Sequence, residues 1–463
     1  MKRSTVLVVA LLAGCSLAPK FEEPRVEHPA EFKEFTGTWK TAQPAEAQPR
    51  GEWWRAFGDP ALDALELEAA EANQSIRAAA ARVSQARALV GVAQSARTPR
   101  VDAGFGPTRI RPGGEDAQTS TTWRGLVSVS YEVDLFGRVA DSIVAARKDY
   151  EGLEATLQSV RLALQADVAQ TYFALREADE ELALLRDTVK LREDSVRLLQ
   201  TRFNLGDINE LDLARARTEL ETTRSDAIEL ERRRARLEHA LAVLLGKAPA
   251  SFSLSPAPLV TALPVIPAGL PSTLLERRPD IAAASRSMAA ANARIGVAKA
   301  AFFPVLNLTA QAGYESGQLA DLFQWSSRTW ALGPLVGTML TAPIIDGGRN
   351  RANLDRSYGA LEEAVAGYRQ QVLVAFAEVE DNLVDVRTLD ERGQATRAAA
   401  GSGSRALAIA QSRYRGGATG YLDVIDAQRS LLAVQRLDTQ IRGARASSTV
   451  ALIRALGGGW DAP

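Results

Sequence analysis

Two carboxylates, Asp423 and Asp426, stand three positions apart in GYLDVIDAQRS, at the start of a stretch with helical spacing, so both lie on one helix face. A pair of this kind can act as general acid and base, bind a divalent cation, or form a solvated helix surface whose first turn favours negative charge through the helix dipole. Acid–base chemistry needs a nucleophile or a base of matched pKa nearby. The histidines are His28, in a proline-rich leader, and His239, inside the charged stretch RRRARLEHA, and neither has the spacing of a ligand or a base. HExxH, GxSxG and a GxxxxGK phosphate loop are absent, and IDGGRNR lacks the Lys-Ser/Thr ending that cradles phosphate. Two carboxylates without histidine supply too few ligands for a metal within one chain. The residues argue against an enzyme, a cofactor and a metal centre.

The elements that carry these aspartates come from a chain of 463 residues, 46% apolar and 24% charged, which is ample for a large core. The formal net charge is -1, with Lys and Arg interspersed among Asp and Glu, which removes the usual basis for a nucleic-acid partner. The N-terminus, MKRSTVLVVALLAGC, has two basic residues, an apolar run and small residues before Cys15, the shape of a secretory signal over residues 1–14. No other run approaches the roughly 20 apolar residues of a membrane helix. Cys15 is the only cysteine, so no internal disulfide or cysteine-built zinc site is possible. LLAGC resembles the bacterial lipobox, which implies removal of the signal, acylation of Cys15 (palmitate among the acyl chains) and, because Ser16 rather than aspartate follows, sorting to the outer membrane. Each buried CH₂ of such chains contributes about 0.8 kcal/mol to anchoring. The alternative is an ordinary signal peptide with an incidental thiol.

The chain repeats itself. IRAAAARVSQARALVGVAQSARTP from Ile76 matches IAAASRSMAAANARIGVAKAAFFP from Ile281 at an offset of 205. From Arg138 the match continues at an offset of 211, pairing Arg176 with Arg387, Phe203 with Tyr414, Gly206 with Gly417, Leu211 with Leu422 and Asp212 with Asp423. Gly, Asp and Arg coinciding at one offset point to tandem duplication rather than to two Ala-rich helices of similar composition. The expected organisation is a signal peptide (1–14), a lipidated extended segment (15–60), a first repeat (61–247), a proline-rich linker (248–271) and a second repeat (272–458).

Arg138 to Phe203 contains no proline, and Leu153, Leu157, Val160, Leu164, Val168 and later apolar residues recur at helical spacing. Such a helix is roughly 100 Å long at 1.5 Å per residue and must pack lengthwise on others, in the manner of a coiled coil. Arg349 to Tyr414 repeats it. NLGDINELDLARART and RGGATGYLDVIDAQRS then turn each rod into a return helix, to about Leu245 and Leu456, which places Asp423 and Asp426 just past a hairpin turn. Between the helices, LVSVSYEVDL and VLNLTAQAGY alternate apolar with polar residues, as strands of a half-buried soluble sheet or of a transmembrane barrel do. Their expected partners are Val101 to Gly106 and Trp330 to Ala342, both interrupted by glycine or proline. Four strands cannot close a barrel in hydrocarbon, where an open edge is not tolerated. Three chains would give twelve strands and leave a passage, whereas eight strands are filled by side chains.

In this order LAGC, WWRAFGDPALDAL, LLERRPDI, GVAKAAFFP, IIDGGRNR and GYLDVIDAQRSLLAVQ resemble the outer membrane factor (TolC-like) family, in its NodT-type lipoprotein efflux branch. The resemblance implies a mixed α/β membrane protein: a homotrimer with a twelve-stranded transmembrane β-barrel, four strands per chain, continuous with a long periplasmic α-helical barrel closed at its tip. It implies an exit duct for tripartite efflux, with a periplasmic membrane-fusion adaptor and an inner-membrane pump, such as one of the RND type, as partners. It further implies a periplasmic gate at Leu422, Asp423 and Asp426, with Leu211, Asp212, Arg413 and Tyr414 beside it, and a latch between Tyr414 and Asp212. Threefold symmetry would repeat each aspartate into acidic rings, which select ions, beside an apolar constriction. The first copy departs from this, because Arg215 stands where Asp426 does, and Thr419 stands where some family members have an arginine. The alternatives are a periplasmic adaptor, which needs a small β-module around one hairpin, and a purely structural coiled-coil lipoprotein.

Overall fold

The structure is a computed structural model that describes residues 16–24, 32–34, 51–114, 118–259, 263–264, 277–333 and 340–458. The signal peptide, Cys15, His28 and most of the proline-rich linker lie outside the described residues. Helices α1 (Pro60–Ala72) and α2 (Gln74–Ser95) precede strands β1 (Arg100–Ile110) and β2 (Ser120–Val133), then helices α3 (Arg138–Asn204) and α4 (Glu210–Leu244). The second round runs α5 (Pro279–Ala300), β3 (Val305–Ser316), β4 (Arg328–Leu332), β5 (Leu340–Thr341), α6 (Arg349–Arg415) and α7 (Tyr421–Ala455). Helices α3 and α6 each have 67 residues, and α4 and α7 each have 35, so the duplication read from the sequence is repeated in element length.

Both rods end by the same chemistry. Gly206 and Gly417 take φ of 77° and 71°, a conformation that costs an L-residue with a Cβ far more than glycine. In the first copy Asp207 N–H donates to the Arg202 carbonyl at 2.9 Å, and in the second Ala418 N–H donates to the Arg413 carbonyl at 2.9 Å, the six-to-one bond of a Schellman ending. Asn209 then caps α4 by accepting from Asp212 N–H at 3.0 Å.

The chain forms two compact units, and each draws on both copies of the repeat. One contains Ala80–Ala155 and Ala282–Gln371 with the described residues 16–24; the other contains Thr156–Ile281 and Val372–Pro463 with the chain from 27 to 79, so far as those ranges are described. The first holds the sheet. Its order is β1-β2-β3-β4, all antiparallel, and the register sorts the side chains. Val127 faces Ala312, Val129 faces Ala310, Tyr131 faces Leu308 and Val133 faces Leu306, while Ser128 faces Gln311, Ser130 faces Thr309 and Glu132 faces Asn307. Directly opposed residues share a face. One side is thus apolar across strands from both copies, and the other is polar and carries the cross-strand pair Arg124–Glu315 at 3.1 Å.

Two strands differ from expectation. Strand β1 extends beyond Gly106 to Ile110, because it pairs only with β2 and an edge strand tolerates Pro107. Among the described residues the expected strand from Trp330 to Ala342 is represented by two short pieces, both paired to β3: Leu332 and Leu340 are eight positions apart, yet their partners Ala310 and Leu306 are only four apart. Gly333, at φ 112°, still donates its N–H to the Thr309 carbonyl at 2.9 Å, and residues 334–339 lie outside the described residues.

The second unit is helical. Trp53, Trp54 and Phe57 form a short turn packed with Leu62, Leu65, Val168, Tyr172, Phe173 and Leu241. Extended chain crosses these helices as straps. Residues 252–259 are gripped by charge: Leu254 N–H donates to Glu238 at 2.7 Å, Arg234 donates to the Leu254 carbonyl at 2.6 Å, and Arg176 donates to the Ser255 carbonyl at 2.8 Å. On the second copy Phe32 packs on Val379, Leu383 and Leu452, and Glu380 accepts from Lys33 N–H at 2.7 Å. Among the described residues no helix is long and apolar enough to cross a membrane.

Candidate functional site

The hairpin turns bring together most of the residues singled out in the sequence. Their shared core is Leu199, Leu213, Ala216, Tyr421, Val424 and Ile425, with Leu407 and Tyr414 against it. Because Tyr421, Val424 and Ile425 point inward, the helical period leaves Leu422, Asp423 and Asp426 exposed together on the other side of α7. Leu211 is exposed at the corresponding point of α4, and Arg413 is exposed near the end of α6. Asp423 also stands in the first turn of its helix, so its charge meets the helix dipole whatever else it does.

Tyr414 has a partner other than Asp212. Its hydroxyl accepts from Arg202 Nη1 at 3.1 Å, the guanidinium lies 5.4 Å from its ring, and the ring meets Tyr421 edge-on with centroids 5.2 Å apart. Asp212 is 3.7 Å from Arg215, one turn along α4. Arg202 is visible in the sequence as the repeat match of Arg413, 211 positions on, but sequence reasoning gave it no role at the turn; its position in the last turn of α3, where a cation suits the helix dipole, was the available signal.

Sequence reasoning also missed a buried clamp behind the turn. Glu219 on α4 is buried and receives two arginines. Arg192 on α3 lies 3.0 Å from Glu219 Oε2 and donates to the Glu219 backbone carbonyl at 2.6 Å and to Thr223; Arg429 on α7 donates to Glu219 Oε1 at 2.8 Å. Arg429 also lies 3.6 Å from Asp426. Burial pushes the Arg192 pKa down and the neighbouring Glu219 pulls it up. Further along α7, Arg436 reaches Glu181 at 2.7 Å and Asp226 at 3.0 Å, and Arg442 reaches Glu180. The second-copy hairpin is thus held to the first by a row of arginines. Their matching positions in α4 are Thr218, Ser225 and Glu231, so the row is visible in the sequence only as a difference between copies.

Among the described residues no cluster of three or more His, Cys, Asp or Glu side chains could hold a metal ion. The chemistry here is that of charge, hydrogen bonding and helix packing, set at two hairpin turns.

Comparison with known proteins fixes the class. The profile of the outer membrane efflux protein family matches residues 67–247 and 270–458, and the chain belongs to that family. It is similar to the toluene efflux pump outer membrane protein TtgF of Pseudomonas putida, 37% identical over 99% of this chain and 96% of that one. It is 32% identical to the probable outer membrane lipoprotein SilC of Salmonella typhimurium, over 99% of each chain. Among solved structures, the Campylobacter jejuni CmeC outer membrane channel superposes with a TM-score of 0.89 at 27% identity, covering 96% of this chain and 95% of that one.

Proposed function

We propose that this protein is the outer-membrane exit duct of a tripartite efflux system, passively conducting what an inner-membrane pump and a periplasmic adaptor deliver to it. The observation that carries the reading is the bare apolar face of the sheet: Trp330 and Leu332 are 74% and 78% exposed, and Val101, Phe105, Val127 and Leu308 are also exposed on the same side. A soluble sheet covers that face, whereas a barrel strand turns it to lipid. Aromatic residues gather at both ends of the strands, as at the two rims of a bilayer. Phe105 packs near Trp123 and Tyr314 near Phe323 at one end, and Phe136 stacks on Phe303 at 4.5 Å at the other.

Among the described residues β1 pairs only with β2, and β4 and β5 only with β3, so the barrel closes by assembly, and three copies give twelve strands around a passage. The repeats at 61–247 and 272–458 then contribute alternate helix pairs to a periplasmic tunnel about 100 Å long. Cys15 carries the lipid anchor in the outer membrane. An RND-type pump and a membrane-fusion adaptor are the expected partners. At the tip, Leu422, Asp423 and Asp426 recur around the axis as an apolar ring with acidic rings beside it, and Leu211, Asp212, Arg413 and Tyr414 flank them as the gate. Arg202–Tyr414 and Arg429–Glu219 hold the gate shut within each chain. An adaptor would need one hairpin with a small β-module, and a coiled-coil lipoprotein has no use for the apolar sheet face.

The test is the purified full-length chain. A detergent-requiring trimer that forms pores in planar bilayers is expected, and a water-soluble monomer without pore activity would overturn the reading.

A further inference from the structure

The first described residues of the chain end in a built socket. Asp141, in the first turn of α3, is only 3% exposed, and Ser16 Oγ donates to its Oδ1 at 2.7 Å. Ala18 N–H donates to Ser16 Oγ at 3.2 Å, which folds the segment back towards the carboxylate. Across from it, α5 holds the same segment: Asn292 Nδ2 donates to the Pro19 carbonyl at 2.7 Å, and Ser285 donates to Glu23. Gly296 forms the floor. A Cβ there would stand 2.0 Å from Asp141 Oδ2 and 2.8 Å from Ala18 N, so any larger residue displaces the strap or the carboxylate.

The duplication supplies an internal control. In α2 the residues matching Ser285, Asn292 and Gly296 are Ala80, Arg87 and Gly91, and in α6 the residue matching Asp141 is Ala352. A Cβ at Gly91 would meet nothing within 4 Å. The helices common to both copies therefore form without a buried aspartate. Burying a carboxylate is costly unless it is hydrogen-bonded; Ser16 bonds Oδ1, while Oδ2 is buried without a hydrogen-bond partner among the described residues, and burial pushes the Asp141 pKa up against the pull of Ser16.

We propose that Asp141 and Gly296 form a receptor for the mature amino-terminal segment Ser16–Pro19, making Asp141 the positioning residue for the acylated Cys15. The residue carrying the acyl chains is bonded directly to Ser16. Asp141 follows the last residue of β2, Val133, by eight positions, and Gly296 precedes the first residue of β3, Val305, by nine. The socket thus fixes the lipid anchor at the strand–helix junction, at the foot of the apolar sheet face. Ser16 then serves twice: by not being aspartate it permits outer-membrane sorting, and its hydroxyl fills the socket. An aspartate at 16 would set a like charge against Asp141.

The inference rests on Cys15 being acylated, and the experiment separates the two. Full-length protein is labelled in cells with a palmitate carrying a photoreactive group near its carboxyl end, irradiated, and its cross-linked peptides are mapped. In the wild type the cross-links are expected around Phe136 and Phe303. In Asp141→Ala, Ser16→Ala and Gly296→Ala, total palmitate is expected to be unchanged while those cross-links fall roughly tenfold, the shift expected from losing a charge-assisted hydrogen bond. Gly91→Ala should leave them as in the wild type. Wild-type cross-links elsewhere, or an unchanged pattern in Gly296→Ala and Ser16→Ala, would overturn the positioning role. A wild-type chain that takes up no palmitate would overturn the lipoprotein reading as well.

Discussion

The two copies of the repeat keep one helical framework and use it differently. Arg234–Asp179 in the first copy and Arg445–Asp390 in the second are the same pair, 2.6 Å and 2.8 Å long and 211 positions apart. In the first copy the 252–259 strap covers the pair and leaves the Asp179 side chain 1% exposed; in the second, Asp390 is 36% exposed. A strap has turned a surface ion pair into a buried node that also receives Arg176 and the Ala257 N–H. At the hairpin turns the divergence runs the other way. The second copy has gained Arg429, Arg436 and Arg442 on α7, which bind carboxylates that the first copy supplies from α3 and α4. Duplication provided two hairpins of equal length, and charge made them complementary.

This comparison can be broken most sharply at the duplicated pair. Asp179→Asn should destabilise the protein by about 3–5 kcal/mol, because it leaves Arg176 and Arg234 buried beside a neutral amide, whereas Asp390→Asn should cost no more than about 1 kcal/mol. Denaturant melts of the two variants measure this, and equal costs would mean that the strap does not set the difference.

Glu66 has no duplicated counterpart in α5, and it offers the next largest effect. It is buried on α1 with Leu62, Leu65 and Ala69, neither carboxylate oxygen has a partner among the described residues, and burial, with Asp63 adding to it, pushes its pKa up to about 9. The folded state therefore holds a proton that the unfolded state releases above its ordinary carboxylate pKa. The contribution of Glu66 to stability is full below the ordinary carboxylate pKa and is lost as pH rises towards 9. Glu66→Gln should flatten that slope and stabilise the protein by roughly 3 kcal/mol at pH 7, as read by thermal unfolding across pH. A variant with the wild-type slope would place the titration elsewhere.

The smallest effects lie at the turns. Tyr414→Phe removes the hydrogen bond from Arg202 but keeps the ring against Tyr421, so about 1 kcal/mol of closure should be lost and resting conductance should rise several-fold. Asp423→Ala with Asp426→Ala should lower cation preference without raising resting conductance, since neither side chain belongs to the hairpin core. Selectivity equal to the wild type would remove both from the conducting path.

Much of this was legible in the sequence because it is periodic. The absence of proline and the apolar spacing marked α3 and α6 to within a residue of their ends, and Gly206 and Gly417 marked the turns, since a rod can be ended there only by a residue that accepts positive φ. The alternation in LVSVSYEVDL and VLNLTAQAGY gave both the strands and their apolar face. The i, i+3 spacing put Asp423 and Asp426 side by side. What depends on residues far apart in the chain was out of reach. No local pattern announces that Glu219 holds Arg192 and Arg429, that Arg202 rather than Asp212 meets Tyr414, or that Ser16 fits a pocket floored by Gly296. A period reports which face of an element is apolar, and the sequence therefore determined the helices, the strands and the duplication. Only the tertiary structure decided which charges are paired, because a carboxylate reads the same at 1% exposure as at 36%, and its partner is chosen by the packing of helices that the chain brings together from different copies.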